Sequence, residues 1–99
     1  MRIRFSDYAR DEIEDASNYL EREVEGLGVR FRREIRLTLE RIRRYPNSWA
    51  IERGDVRRCF VHKFRYKVLY SVESDHIFVI AVAHQHRKPD YWIDRLSSE

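Results

Sequence analysis

The sequence predicts an α+β fold of element order β-α-α-β-β-β, in which a helical hairpin packs on a mainly antiparallel four-stranded sheet. Three observations carry this expectation. Ile77 to Ala83 is apolar at every position, as in a strand buried on both faces. Two successive stripes at helical spacing run from Ala9 to Val24 and from Phe31 to Ile42. From Val56 onward, strand-like runs alternate with short polar turns, the pattern of an antiparallel meander. Ninety-nine residues suffice for one domain, residues 1–99, burying roughly 65% of the unfolded chain's surface, and not for two independent cores.

Each element has its own signal. Arg2-Ile3-Arg4-Phe5 alternates polar with apolar residues and predicts a short half-buried strand at one edge of the sheet. Ser6 offers an N-cap hydroxyl and Asp7 an early carboxylate, followed by Ala9, Ile13, Ala16, Leu20 and Val24 on one helical face. Gly26-Leu27-Gly28 breaks that helix, and Phe31, Ile35, Leu39 and Ile42 mark a second that folds back on the first. Asp11, Glu14, Asp15 and Glu25 then face solvent on the first helix, and Arg32, Arg33, Arg36 and Arg43 on the second. Tyr45-Pro46-Asn47-Ser48 ends the second helix, and Glu52-Arg53-Gly54-Asp55 reads as a turn-rich link. Val56 to His62 and Tyr66 to Val72 are strands joined by a turn at Lys63-Phe64-Arg65, and Glu73-Ser74-Asp75 leads into the strand at Ile77. Pro89-Asp90 opens a terminal helical turn, in which Trp92 and Leu96 pack over the end of the core and Tyr91 hydrogen-bonds at its rim.

Composition narrows the function classes. The chain is 42% hydrophobic and 37% charged, with a formal net charge of +3. It is too apolar for disorder, and its acids crowd Asp7 to Glu25 while its arginines crowd Arg30 to Arg44. Cys59 is the only cysteine, which rules out an intramolecular disulfide and a Cys-rich metal site and fits a reducing, cytoplasmic setting. No run has the length or hydropathy of a membrane span, so a soluble protein without membrane partners is expected.

The candidate chemistry gathers where the apolar strand ends, in His84-Gln85-His86-Arg87-Lys88-Pro89-Asp90-Tyr91-Trp92. His84 and His86 alone make a poor zinc signal, and neither a metal nor a cofactor is expected. With Arg57, Arg58, Lys63, Arg65 and Lys67 on neighbouring strands and turns, this end of the sheet could hold a polyanion or a protein partner. Cleavage of RNA through its 2′-hydroxyl needs a proton acceptor, cations for the charged phosphorane and a proton donor. His84 or His86, Arg87 with Arg58, and Tyr91 match those needs in type. The alternative is that the arginines are solvated strand-edge charges and His84 a hydrogen-bonded rim residue.

The element order, Val56-Arg57-Arg58, Phe64-Arg65-Tyr66-Lys67-Val68-Leu69-Tyr70 and Ile80-Ala81-Val82-Ala83-His84-Gln85-His86-Arg87-Lys88-Pro89-Asp90-Tyr91-Trp92 together resemble the RelE/ParE superfamily of bacterial toxins. The resemblance implies the toxin of a type II toxin–antitoxin system of the plasmid-stabilisation kind, which inhibits growth until a cognate antitoxin binds it. The antitoxin's C-terminal segment would wrap the toxin in a heteromeric complex, and operator DNA would be bound only through the antitoxin. RelE-like members cleave messenger RNA on the ribosome, whereas ParE-like members act on DNA gyrase without being nucleases. Arg58, Arg87 and Tyr91 resemble the phosphate-contacting and terminal aromatic residues of the nucleases, which would make His84, Arg87 and Tyr91 catalytic. Arg57, Arg58, Lys63, Arg65, Lys67 and His86 would then hold substrate or partner. The helical hairpin and His84-x-x-Arg87 suit a ParE-like, gyrase-directed toxin, with a ribosome-dependent endoribonuclease or a non-toxic binding module of the same fold as the alternatives.

Overall fold

Strand β1 (Arg2–Phe5) leads into helices α1 (Asp7–Glu23) and α2 (Leu27–Arg44), followed by strands β2 (Ile51–Arg53), β3 (Val56–Phe60), β4 (Tyr66–Val72) and β5 (His76–His84) and a terminal helical turn, α3 (Arg95–Ser98). The structure is a computed structural model that describes residues 1–98. Sheet order is β1-β5-β4-β3-β2, with β1 parallel to β5 and the other pairs antiparallel. The apolar strand β5 is thus hydrogen-bonded on both sides, as its composition requires.

The sheet has five strands rather than the expected four. Glu52 and Arg53, expected in a turn-rich link, instead join Ile51 in a short edge strand that pairs with β3, with Arg53 opposite Val56. Gly54 at φ 57° supplies the left-handed backbone that a two-residue hairpin needs. A three-residue edge strand with one exposed aliphatic side chain carries too little alternation to stand out in a sequence.

The helices begin and end as their sequences dictate. Ser6 caps α1, its Oγ accepting the Ala9 N–H at 3.0 Å, and the same hydroxyl donates to the Ile80 carbonyl at 2.8 Å. That second bond fastens the helix start to β5 just beyond the point where β1 stops. The N-terminus of α2 is capped from outside: Glu21 of α1 accepts the Gly26 and Gly28 N–H groups at 2.7 and 2.9 Å. Those bonds, that to Gly26 foremost, hold the Glu21 carboxyl below its usual range. Gly28 lies where the helices cross, and a Cβ there would fall 2.4 Å from the Ser17 carbonyl oxygen.

Two cores result. The larger lies between the hairpin and the sheet, built from Ala9, Ala16, Phe31, Ile35 and Ile42 against Cys59, Val61, Val68, Tyr70, Ile77, Val79 and Val82. The smaller lies on the opposite face, where Trp92, 1% exposed, packs on Val56, Leu69, Ile80 and Ala81. Trp92 therefore packs as expected, but over the second face of the sheet and not over its end. Leu96, expected beside it, is about half exposed. The β4–β5 register slips where Leu69 faces Ala81 and Tyr70 faces Val79. This bulge turns the consecutive residues Ile80 and Ala81 to the Trp92 side and restores Val82 to the helical side.

Candidate functional site

Beyond Phe5, β1 no longer covers β5, and strand edges left bare need other partners. Ser6 takes the first position, its N–H donating to the Val79 carbonyl at 3.0 Å. Glu12 takes the next: Oε1 accepts the Val82 N–H at 3.0 Å. The same carboxylate accepts from the Tyr91 hydroxyl at 2.5 Å and from the Arg95 guanidinium at 2.9 and 3.1 Å. One largely buried carboxylate on α1 thereby joins the helix, the strand edge and the C-terminal segment. Arg95 also stacks against the rings of Tyr8 and Tyr91, at 4.7 and 4.8 Å from their centroids.

The sequence-predicted residues His84, His86, Arg87 and Tyr91 do come together at this end of β5. Arg87 lies 4.1 Å over the Tyr91 ring, and His84 sits edge-on to Tyr66 at 5.2 Å with His86 5.3 Å away. The strand ends at His84, and His86 stands in the following turn, so proximity and not strand alternation brings the imidazoles together. A hollow of about 180 Å³ opens between α1 and the strand ends, lined in part by Glu12, Asp15, Tyr66, His84 and Arg87.

The predicted cations do not form one surface. Arg57 and Arg58 are adjacent in β3 and so face opposite sides of the sheet. Arg57 donates to the Trp49 carbonyl at 2.7 Å, on the helical side. Arg58 and Lys67 meet Glu52 of β2 at 3.4 and 2.8 Å on the Trp92 side. Lys63 and Arg65 are exposed in the β3–β4 turn, where Lys63 adopts φ 70° and the Arg65 carbonyl accepts the Gln85 N–H at 2.8 Å.

Proton inventory decides what the cluster can do. His84 Nδ1 accepts the His86 backbone N–H at 3.1 Å, so a neutral His84 carries its proton on Nε2 and has no free lone pair for a substrate. Burial, together with donation to Glu12, pushes the Tyr91 phenol well above its ordinary range. Its proton is committed to a carboxylate. Glu12 and Arg95 were missed as site residues; the available signal was a carboxylate three residues after Ala9 and four before Ala16, beside the inward stripe of α1. Among the described residues, no group of three or more His, Cys, Asp or Glu side chains is disposed to hold a metal ion.

The two helices on a mostly antiparallel sheet are shared with a chain of the chromosomal ParDE TA system from P. aeruginosa. The two superpose with a TM-score of 0.72 at 12% sequence identity, over 85% of this chain and 95% of that one. No curated protein matches the sequence significantly. The fold is the one that chain adopts. The family model described as "ParE toxin of type II toxin-antitoxin system, parDE" matches residues 3–89, and the chain belongs to that family.

Proposed function

We propose that this ParE-family protein inhibits growth as a binding toxin directed at DNA gyrase, is neutralised by a cognate antitoxin in a heteromeric complex, and does not cleave RNA. The observation that carries the reading is the closure of the Tyr91–Glu12–Arg95 network. Of the groups a nuclease would use, Tyr91 gives its proton to Glu12, His84 Nδ1 accepts the His86 N–H and Arg87 stacks on the Tyr91 ring, which supports a scaffold role for these three. In this reading His84, Arg87 and Tyr91 are positioning residues rather than catalytic ones. Lys63, Arg65 and His86, exposed around the end of β5, together with Arg58 and Lys67 beside Glu52, offer polar contacts to a protein partner. Arg57 contributes to such a surface only from the opposite face.

The test pairs two assays on the purified toxin. Inhibition of gyrase supercoiling, with messenger RNA left intact in a reconstituted translation reaction, is the expected outcome. Cleavage at ribosome-protected codons that disappears in Tyr91→Phe would overturn the reading in favour of an endoribonuclease. Normal growth on expression without antitoxin would instead leave a binding module.

A further inference from the structure

The charges of the helical hairpin do not cancel one another. Residues 27–44 contain seven arginines and two glutamates, so α2 carries +5 in a chain whose net charge is +3, and the remaining residues are net negative. Elsewhere the cations are spread over several elements, and Arg58 and Lys67 pair with Glu52, Arg53 with Asp90, Arg95 with Glu12 and Arg2 with Asp75. On α2, Arg43 pairs with Glu40 and Arg41 bonds Thr38 and the Phe60 carbonyl. Arg30, Arg32, Arg33, Arg36 and Arg44 are exposed and, among the described residues, have no acidic partner. None of the acids on α1 reaches across to them.

Their layout is ordered. At about 100° per residue, Arg30, Arg33 and Arg44 fall in one row along the helix and Arg32, Arg36 and Arg43 in another, roughly a quarter-turn away. Both rows lie on the side opposite Phe31, Ile35, Thr38 and Ile42, which are buried against the sheet. The strip between the rows holds Val29 and Glu40, and Leu37 lies within the first row; Val29 and Leu37 are the large apolar side chains exposed on this face. Guanidinium forks in two parallel rows on a rod about 27 Å long, all but that of Arg43 without an acidic partner among the described residues, match two lines of phosphates.

We infer that the solvent face of α2 binds duplex DNA through its phosphate backbone, without reading sequence, one arginine row toward each strand at the mouth of a groove. Half or more of all protein–DNA hydrogen bonds go to phosphate and sugar, and such contacts alone suffice for sequence-independent binding. The surface is separate from the Tyr91 network, and the inference goes beyond the proposed target.

The test is fluorescence anisotropy of a labelled random-sequence duplex with the intact toxin, titrated between about 50 and 200 mM salt. With about four phosphates engaged, log K should fall against log salt with a slope near −3.6. Arg33→Glu/Arg36→Glu should weaken binding at least ten-fold and lower the slope by about two. Arg30→Glu/Arg44→Glu provides an independent pair should the first variant fold poorly. Arg2→Glu/Arg4→Glu, at exposed positions of β1, alters net charge equally away from α2 and should change affinity less than three-fold. Equal loss in that control would overturn the inference, reducing the effect to overall charge. Absence of salt-dependent binding by the parent would overturn it as well. Displacement of the duplex by polyglutamate at matched charge would assign the face to an acidic protein, and tighter binding of single-stranded RNA would reject the duplex. No gyrase enters the assay, so its failure and that of the proposed target are distinguishable.

Discussion

Replacing Glu12 by Ala would strip one site of four accepted hydrogen bonds, leaving the Val82 N–H, the Tyr91 hydroxyl and the Arg95 guanidinium without their shared acceptor. With the Glu12 side chain only 16% exposed, unmaking the pair should cost about 2–4 kcal/mol. Chemical denaturation measures this loss, and Tyr91→Phe, which removes one donor, should lose about 1 kcal/mol by the same method. Tyr70 gives a pH-dependent counterpart. Burial pushes its phenol up to about 12, and its hydroxyl donates to the Pro46 carbonyl at 2.6 Å. Since the folded pKa exceeds that of an unfolded tyrosine, near 10, this contribution is complete below about pH 10 and fades as pH climbs toward 12. Tyr70→Phe should flatten the alkaline limb of a melting-temperature profile over that window; an unchanged limb would remove Tyr70 as its cause. At this scale the sequence was an incomplete guide. His84, Arg87 and Tyr91 do converge, because strand end and turn are close in the chain. Their partners were invisible, because Glu12 is 79 residues from Tyr91 and only the fold makes them neighbours.

At the scale of elements, the helices leave no room for a side chain at Gly28. Adding a methyl group there must push α2 away from the Ser17 carbonyl and disturb the Glu21 cap, since backbone cannot yield as a side chain can. Gly28→Ala should therefore destabilise the protein by about 2–3 kcal/mol, as overpacking of tight contacts does. Gly26→Ala meets no neighbour but is strained by φ 85°, at a cost of about 1 kcal/mol. Thermal melts of the two variants should rank in that order, and reversal would locate the constraint in the turn instead. Both helices were legible because their apolar stripes repeat over four turns, and β3, β4 and β5 because each is rich in β-branched or aromatic residues. Strand β2 was not, because its pairing rests on the Gly54 turn and on Glu52 meeting Arg58 and Lys67, neither of which leaves a periodic trace.

The whole molecule is layered on both sides of the sheet, by helices on one and by the segment around Trp92 on the other. Trp92→Ala would empty the smaller core at a cost of about 3–5 kcal/mol, a large share of the 5–15 kcal/mol typical of small proteins. Loss of the cooperative urea transition, or a midpoint shift of that size, is the expected readout. Amide exchange should be slowest across Ile77 to Val82, where both faces are covered and both edges are hydrogen-bonded or capped.

The parallel pairing of β1 with β5 also imposes an order in time. Ser6 cannot find Ile80, 74 residues downstream, until all of the residues between them have been synthesised. The first strand made waits for the last. Contacts so distant along a chain slow folding, and the helical hairpin can form early while the sheet stays unfinished. A chain wired in this way keeps the far edge of its sheet open for as long as β5 is missing.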